Sequence, residues 1–463
     1  MTKNVIKNKI ENKKVVALII EANPITNGHI KIIKEAKKLG DILICLLAPD
    51  FVQRGELAIY NKYDRAKTLI KYGADIVLEM PVEYALSSAK YYARASINIL
   101  NKLGIVDYLI FGSNLNNIEK LNEISDKINN ILKYNNENKT KDKQKNNYIQ
   151  NPKHYNNIGF EDDKDLNNNK KSFVATSYPK YIEEKINIKL SPNDILAVEY
   201  LSALKEFKSK ITPITIKRDD TLKSATEIRN ILLNNDELDE VSPSNVTSPS
   251  IYDYRRGAEQ SSELFRKSPS IYDYRRGELA SPSIYIDKIK YPTPHTINVS
   301  LTHHLNQKLF YCRKNNIDLT SFYDIDEDFK NNILKIIENG FLDYDTLCLK
   351  LNKKHLTLAN VKRKLLHILL DIKEKDVMST SYGKSIKFVR ILAIKKESAK
   401  YLKYFSLPFI TNTNDKEYDN FYKKYGFNIK DNPSLIINYY SSLFYDMITN
   451  SKNTEGKRKF MIY

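Results

Sequence analysis

The chain has 463 residues, 41% of them hydrophobic, enough to build two or three domains with sizeable cores. Its formal net charge is +18, which suits a polyanionic partner such as a nucleic acid and also accompanies the Lys-, Asn- and Ile-rich usage of AT-rich coding DNA. The scattered Cys45, Cys312 and Cys348 exclude a disulfide framework and a cysteine-rich zinc site, the polar start "MTKNVIKNKIENKK" excludes a secretory signal, and no apolar run approaches the ~18 residues of a membrane span, so a cytosolic protein is expected.

In chain order, "VVALIIEA" (15–22) is a short apolar run rich in β-branched residues and reads as a buried strand. Residues 27–39 place Ile32, Ile33, Ala36 and Leu39 at helical spacing. "DILICLLA" (41–48) is a second strand, and a helical stretch around 60–72 leads to a third, "ADIVLEM" (74–80). Residues 84–103 set Leu86, Ala89, Ala93, Ile97 and Leu100 on one helical face, and Gly104 ends the helix. "DYLIFGS" (107–113) is a fourth strand. This alternation predicts an α/β fold with a parallel sheet covered on both faces.

Residues 134–171 are rich in Asn, Lys and Asp, have little to bury, and read as a disordered insertion. Order resumes before a helix with Ser191 as N-cap, Pro192 at the first position and Asp194 three past the cap. "KITPITIKR" (210–218) reads as a fifth strand and "SATEIRNILL" (224–233) as a helix start. From about 234 to 290, "SPSIYDYRRG" occurs at 248–257 and 268–277 and is truncated at 281–285. Such repeats are too few and too polar for a solenoid, so a duplicated, disordered linker is expected. The alternative is that Tyr252, Tyr254, Arg255 and Arg256 stack on and neutralise single-stranded RNA. The resulting organisation is a basic tail (1–14), a Rossmann-like domain (15–233), the linker (234–290) and a mainly α-helical domain (291–463) in which "SIKFVRILAI" and "LPFITN" add short strands.

Two stretches carry candidate chemistry. "NPITNGHI" stands where the first strand hands over to the first helix. In an open parallel sheet, ligands sit at the carboxyl ends of the strands, and a helix starting there offers unpaired N–H groups to phosphate. Gly28 allows close approach, His29 lies in the first turn, and Thr26 or Asn27 caps. Taken alone, these residues are equally a capped helix with an incidental histidine. "SATEIRN" is likewise a capping box on Ser224 and Glu227, with Thr226 and Arg229 suited to β- and γ-phosphates.

As a pair, "TNGH" after the first strand and "SATEIR" after the last resemble the signature of HUP-type Rossmann-like nucleotidyltransferases. Further stretches, among them "FVQRGELAIYNKYDRAKTLIKYGADIVLEMPVEYALSSAKYYARASINILNKLG", "LIFGSN", "SPNDILAVEYLSAL" and "ITPITIKR", make the chain similar to the bacterial tRNA(Met) cytidine acetate ligase family. The likeness is strong over 15–133 and 172–233 and weaker through the C-terminal region. It implies that ATP, with Mg²⁺ held by its phosphates, activates acetate as acetyl-AMP with release of pyrophosphate. The acetyl group then passes to N4 of the wobble cytidine of elongator tRNA(Met), the tRNA lying on the basic surface and the helical C-terminal domain.

Carried over by residue, the resemblance implies an ATP site of Ile19, Ile20, Glu21, Ala22, Asn23, Pro24, Ile25, Thr26, Asn27, Gly28, His29, Ile30, Lys31 and Ile32, with Gly112, Asn193 and Arg218. Thr26, His29, Thr226 and Arg229 would stabilise charge on the moving phosphates. Gln53 and Arg54, in a loop on the same rim, would face the acetate, the phosphates or the cytidine. The chain departs from the family at Ile25 and Thr26 (usually Phe and His), at Ala22 (usually aromatic) and at Ala48-Pro49-Asp50 (usually Ser-Gly-Asn), and these departures bear on acid specificity. Phosphopantetheine adenylyltransferases also carry "TNGH", so an adenylyltransferase acting on a phosphorylated small molecule is the alternative, although it leaves the helical 291–463 without a task. A non-catalytic RNA-binding protein is a third reading, opposed by intact His29, Arg218 and Arg229.

Overall fold

A computed structural model describes residues 13–143, 187–233 and 292–463, apart from 220, 339, 341, 354–355, 431, 452–454 and 456–459. The four expected N-terminal strands form: β1 (Val15–Ile20), β2 (Ile42–Leu47), β5 (Ile76–Glu79) and β6 (Tyr108–Ser113), with β7 (Thr212–Lys217) following. They pair parallel in the order β5-β2-β1-β6-β7. Helices α1 (Asn27–Leu39) and α2 (Lys62–Tyr72) cover one face. On the other face lie α4 (Ala89–Leu103), α5 (Ile118–Lys143) and α6 (Pro192–Glu206). The alternation of β1 follows from burial on both sides: Val15 and Ala17 enter one core cluster, Val16, Leu18 and Ile20 the other. The Rossmann-like expectation is met.

Three details differ from the sequence reading. Residues 51–57, read as a loop, form a hairpin of β3 (Phe51–Val52) and β4 (Glu56–Leu57). The helix expected from 84 breaks into α3 (Val82–Ala85) and α4: the Ser87 hydroxyl bonds back to the Glu83 carbonyl, and Ser88 takes extended backbone at the N-cap position of α4 without a side-chain cap bond. Helix α5 runs to Lys143, into the stretch read as an insertion; 144–171 and the repeats at 248–285 lie outside the described residues.

The second half supplies α7 (Ala225–Leu233), α8 (Pro294–Lys314), α9 (Glu327–Glu338), α10 (Tyr344–Leu351), α11 (Leu358–Leu369), α12 (Glu374–Ser379), α13 (Asp415–Tyr425) and α14 (Pro433–Ile448). It also extends the N-terminal sheet. Strand β8 (Val389–Ile394) pairs antiparallel with β5, and β9 (Phe409–Ile410) and β10 (Met461–Ile462) pair with β8. "KFVRILAI" is therefore the sixth major strand of one sheet, so the two halves share a core. A buried ionic network reinforces the joint. Lys62 Nζ lies 2.6 Å from Glu79 Oε1 and 3.4 Å from Glu455, and Arg390 pairs with the same two carboxylates. No helix among the described residues is long and apolar enough to cross a membrane.

Candidate active site

Because β1 has β2 on one side and β6 on the other, the strand order reverses there, and a crevice opens above the carboxyl ends of β1 and β6. At that end of the sheet lie the turn at 21–29 after β1, Gly112 near the end of β6 with the start of α6 bonded to that end, and the segment 218–229 after β7.

Turn 21–26 is built tightly. Ala22 takes φ 51° and the Asn23–Pro24 peptide is cis. Asn23 is buried; its Oδ1 accepts the Ile59 N–H at 2.9 Å, and its Nδ2 has no hydrogen-bond partner among the described residues. Ile20, Ile25 and Ile30 are core residues beneath the turn, whereas Ile19, Asn27 and Ile32 are half-buried and Gly28 and Lys31 exposed.

Thr26 and His29 form a capping box in which the histidine stands where Glu or Gln is usual. Thr26 N–H donates to His29 Nδ1 at 3.0 Å, Thr26 Oγ1 lies 2.9 Å from Nδ1, and Oγ1 accepts the His29 N–H at 3.4 Å. A main-chain N–H can only donate, so Nδ1 is unprotonated and the ring proton sits on Nε2. Burial, helped by the charge of Arg218, brings the His29 pKa down to about 4. The ring is neutral at pH 7 and offers Nε2–H as a donor. The box occupies two of the four helix-start amides; those of Asn27 and Gly28 remain.

The second helix start repeats the device with different chemistry. Ser224 N–H donates to Glu227 Oε2 at 2.6 Å and Glu227 N–H to Ser224 Oγ at 3.2 Å, leaving the amides of Ala225 and Thr226. From the next turn the buried Arg229 reaches back: Nη1 donates to the Asn23 carbonyl at 2.6 Å and Nη2 to Thr226 Oγ1 at 3.3 Å. Lys31 Nζ, 2.9 Å from the Asp219 carboxylate, is a second tie. The two motifs, far apart in sequence, therefore meet at one rim.

Arg218 is exposed, its N–H donates to the Ser113 carbonyl at 3.2 Å, and it forms no ion pair among the described residues. Asp219 beside it is taken by Lys31 and Thr221. At Gly112 the backbone does not require glycine, and a Cβ there would meet no atom within 4 Å, so its absence keeps the crevice floor open. Asn193 is half-exposed in the first turn of α6. That turn is locked to the end of β6 by Asp194, whose Oδ1 accepts from Ser113 Oγ at 2.6 Å and from the Asn114 and Leu115 amides at 3.0 and 3.1 Å. Burial opposes the Asp194 charge, but the Ser113 and Ser191 hydroxyls and these amides outweigh it and hold the carboxyl below the usual range. Gln53 N–H donates to Glu21 Oε1 at 2.8 Å, and Arg54 is exposed beside it. Burial pushes the Glu21 carboxyl up, against the pull of the Gln53 amide and of Arg54, Arg229 and Arg65.

Sequence reasoning missed Arg65. Fully buried, it donates to the carbonyls of Tyr60, Glu21, Ala48 and Pro49 at 2.6–2.9 Å, gathering the carboxyl ends of β1 and β2. Its signal was an arginine on the buried face of a helix. Asp50 is occupied similarly: its carboxylate accepts the Lys62 N–H at 2.7 Å and the Ser442 hydroxyl at 2.8 Å. Ala48-Pro49-Asp50 thus anchors the rim to Arg65 and α14.

Chemically the site is a set of convergent donors, with few acceptors, at a sheet's switch point: a place for a polyphosphate. A model of the HIGH Nucleotidyl Transferase family matches residues 13–459. The tRNA(Met) cytidine acetate ligase of Acetivibrio thermocellus is 28% identical over 423 residues, 87% of this chain and 89% of its own length. The protein of the same name from Fusobacterium nucleatum is 28% identical over 403 residues, 84% of each. The crystal structure of Thermotoga maritima TmcAL bound with alpha-thio ATP superposes with a TM-score of 0.66 at 20% identity, covering 97% of this chain and 99% of that one. Its apo form gives 0.67. At that identity the likeness bears on the fold.

Proposed function

The chain belongs to the HIGH Nucleotidyl Transferase family, and from that premise we propose that it is an ATP-dependent tRNA(Met) cytidine acetate ligase of the cytoplasm. The observation that carries the reading is the Arg229–Asn23 contact, which brings two phosphate-binding helix starts to one crevice. The 28%-identical relatives of that name, matched over most of their length, supply the reaction.

A carboxylate oxygen of acetate attacks the α-phosphorus of ATP. The bond to the bridging oxygen breaks, and pyrophosphate carries away the charge. The residues act where that charge develops: the amides of Asn27 and Gly28 on one side, those of Ala225 and Thr226 on the other, with His29 Nε2–H, Arg218 and Arg229. The catalysis is positioning and electrostatics, without a covalent enzyme intermediate. The Thr26 hydroxyl is taken up by His29, so it orients the ring and does not meet the phosphates itself. Gly112 leaves room for the nucleotide, Asn193 faces it from α6, and Gln53 and Arg54 meet the acyl and cytidine side. In the second step the N4 amine of the wobble cytidine attacks the acetyl carbonyl, the bond to AMP breaks, and the amine loses a proton. Mg²⁺ enters with the phosphates; among the described residues no three His, Cys, Asp or Glu side chains gather as a cage for it.

The test is incubation with ATP, labelled acetate and tRNA. Label in elongator tRNA(Met), with AMP and pyrophosphate formed, supports the reading. ATP turnover on a phosphorylated pantetheine-like acceptor without tRNA labelling overturns it in favour of an adenylyltransferase.

A further inference from the structure

The hairpin β3–β4 stands between the crevice and the C-terminal helices, and both sides grip it. On the crevice side Gln53 N–H donates to Glu21 Oε1 at 2.8 Å. On the other side Arg363, from α11, donates through Nη1 to the Gln53 carbonyl at 2.9 Å. The two ends of one residue are thus held by different halves of the chain. The turn itself touches α11: Gly55 has φ 73°, and a Cβ there would fall 2.6 Å from Lys362 Cβ and 2.8 Å from the Arg363 nitrogen. Beyond the turn, Glu56 divides its carboxylate. Oε1 lies 3.4 Å from Lys362 Nζ and Oε2 3.8 Å from Arg229 Nε. Since Arg229 Nη1 holds the Asn23 carbonyl, polar contacts run from α11 through the hairpin to the turn that precedes His29.

Among the described residues, Arg363 differs in its partners from the inward cations Lys62, Arg390 and Arg65. Lys62 and Arg390 lie in a network of carboxylates, and Arg65 binds four carbonyls. Arg363 forms no ion pair among the described residues, and its buried Nε, like that of Arg390, has no hydrogen-bond partner there. A partly satisfied buried guanidinium is a poor stabiliser. What it does hold is the main chain of Gln53, beside the exposed Arg54.

We propose that Arg363 and Glu56 are positioning residues for adenylation, through which the C-terminal helical region holds Gln53, Arg54 and Arg229 in register over the nucleotide; this rests on the reading above. The Arg363 contact orients the hairpin, and the Glu56 carboxylate keeps the Arg229 guanidinium pointed at the Asn23 turn. Neither residue is required to touch substrate.

The experiment compares full-length wild type, Arg363→Met, Arg363→Lys and Glu56→Gln. It reads acetate-dependent ATP–pyrophosphate exchange per active site and, separately, ATP affinity by calorimetry. Arg363→Met is expected to lower exchange kcat about tenfold with KM for ATP within about twofold, and Arg363→Lys, which keeps one donor, to recover most of it. Glu56→Gln lies on the half-exposed edge of the hairpin, where folding is not at stake, and is expected to weaken ATP binding about threefold. A per-site kcat for Arg363→Met within twofold of wild type, or a Lys variant as impaired as Met, overturns the Arg363 assignment; unchanged ATP affinity in Glu56→Gln overturns the other. Absence of acetate-dependent exchange in wild type refutes the proposed function and with it a role of Arg363 in adenylation, while the calorimetric comparison still decides the Glu56 assignment.

Discussion

The starts of α1 and α7 are built on the same plan and differ in the chemistry of the residue that closes the box. Both are capping boxes, each consuming two helix-start amides and leaving two. In α7 the box residue is Glu227, exposed and purely local, while Arg229 one turn on carries the charge to the crevice. In α1 the box residue is His29, whose Nδ1 completes the cap and whose Nε2–H is the donor on offer. Cap and chemistry are thus separate on one side and share a ring on the other. The comparison teaches that a residue's structural role does not exclude a catalytic one when its two polar atoms differ.

Breaking the α7 side at its charge has the largest expected effect. Arg229→Ala removes a phosphate-facing guanidinium and the bond to Asn23, and should lower acetate-dependent pyrophosphate exchange by about 10²–10³-fold. On the α1 side His29→Gln separates the two roles, because Gln serves in a capping box. Exchange should fall at least about tenfold while the thermal midpoint stays near wild type, whereas His29→Ala should also lose about 1 kcal/mol of cap stability. Equal melting of the Gln and Ala variants would show that the ring does no capping. Gly112→Ala should leave the midpoint unchanged, since its Cβ meets no protein atom, and weaken ATP binding about tenfold by calorimetry. Ser224→Ala, on the purely structural cap, should cost about 1 kcal/mol and change exchange less than threefold.

The pH dependence sharpens the same contrast. His29, with its pKa lowered to about 4 from 6.5, binds fewer protons folded than unfolded. Its contribution is fully present above about 6.5 and is lost as pH falls toward 4. His367 behaves likewise. Glu83 opposes them: burial raises its pKa from 4.5 to about 7, so its contribution is present at low pH and lost as pH rises through 7. The wild-type slope is therefore a sum, and the difference between wild type and His29→Gln isolates one member. Wild type should lose stability relative to His29→Gln as pH is lowered from 6.5 to 4 in chemical denaturation. A constant difference would refute the neutral ring.

The strands β1, β2, β5, β6 and β7, the helices α1, α2 and α6 and the Ser224–Glu227 capping box were legible in the sequence, because each rests on spacing or on a local side-chain-to-backbone bond; the part His29 takes in the α1 cap was not. Near 84 the reading ran through a break, since Ser87 turns back on Glu83 only in its folded setting. The hairpin at 51–57 carried no alternating pattern long enough to read, and Arg65 looked like any helical arginine until its four carbonyls were in place. The two phosphate-facing motifs were visible as types of residue. Their placement at one rim followed from the strand order and the family resemblance, whereas the Arg229–Asn23 contact that joins them did not.

By itself the amino-acid order determined which segments are buried and where helices begin, because hydrophobic period and caps act within a few residues. Tertiary structure alone decided that Val389–Ile394 lies antiparallel beside β5, that Arg229 reaches Asn23, and that α11 leans on the hairpin. Those contacts join residues hundreds of positions apart. They depend on the summed packing of the sheet and helices, which no local pattern encodes.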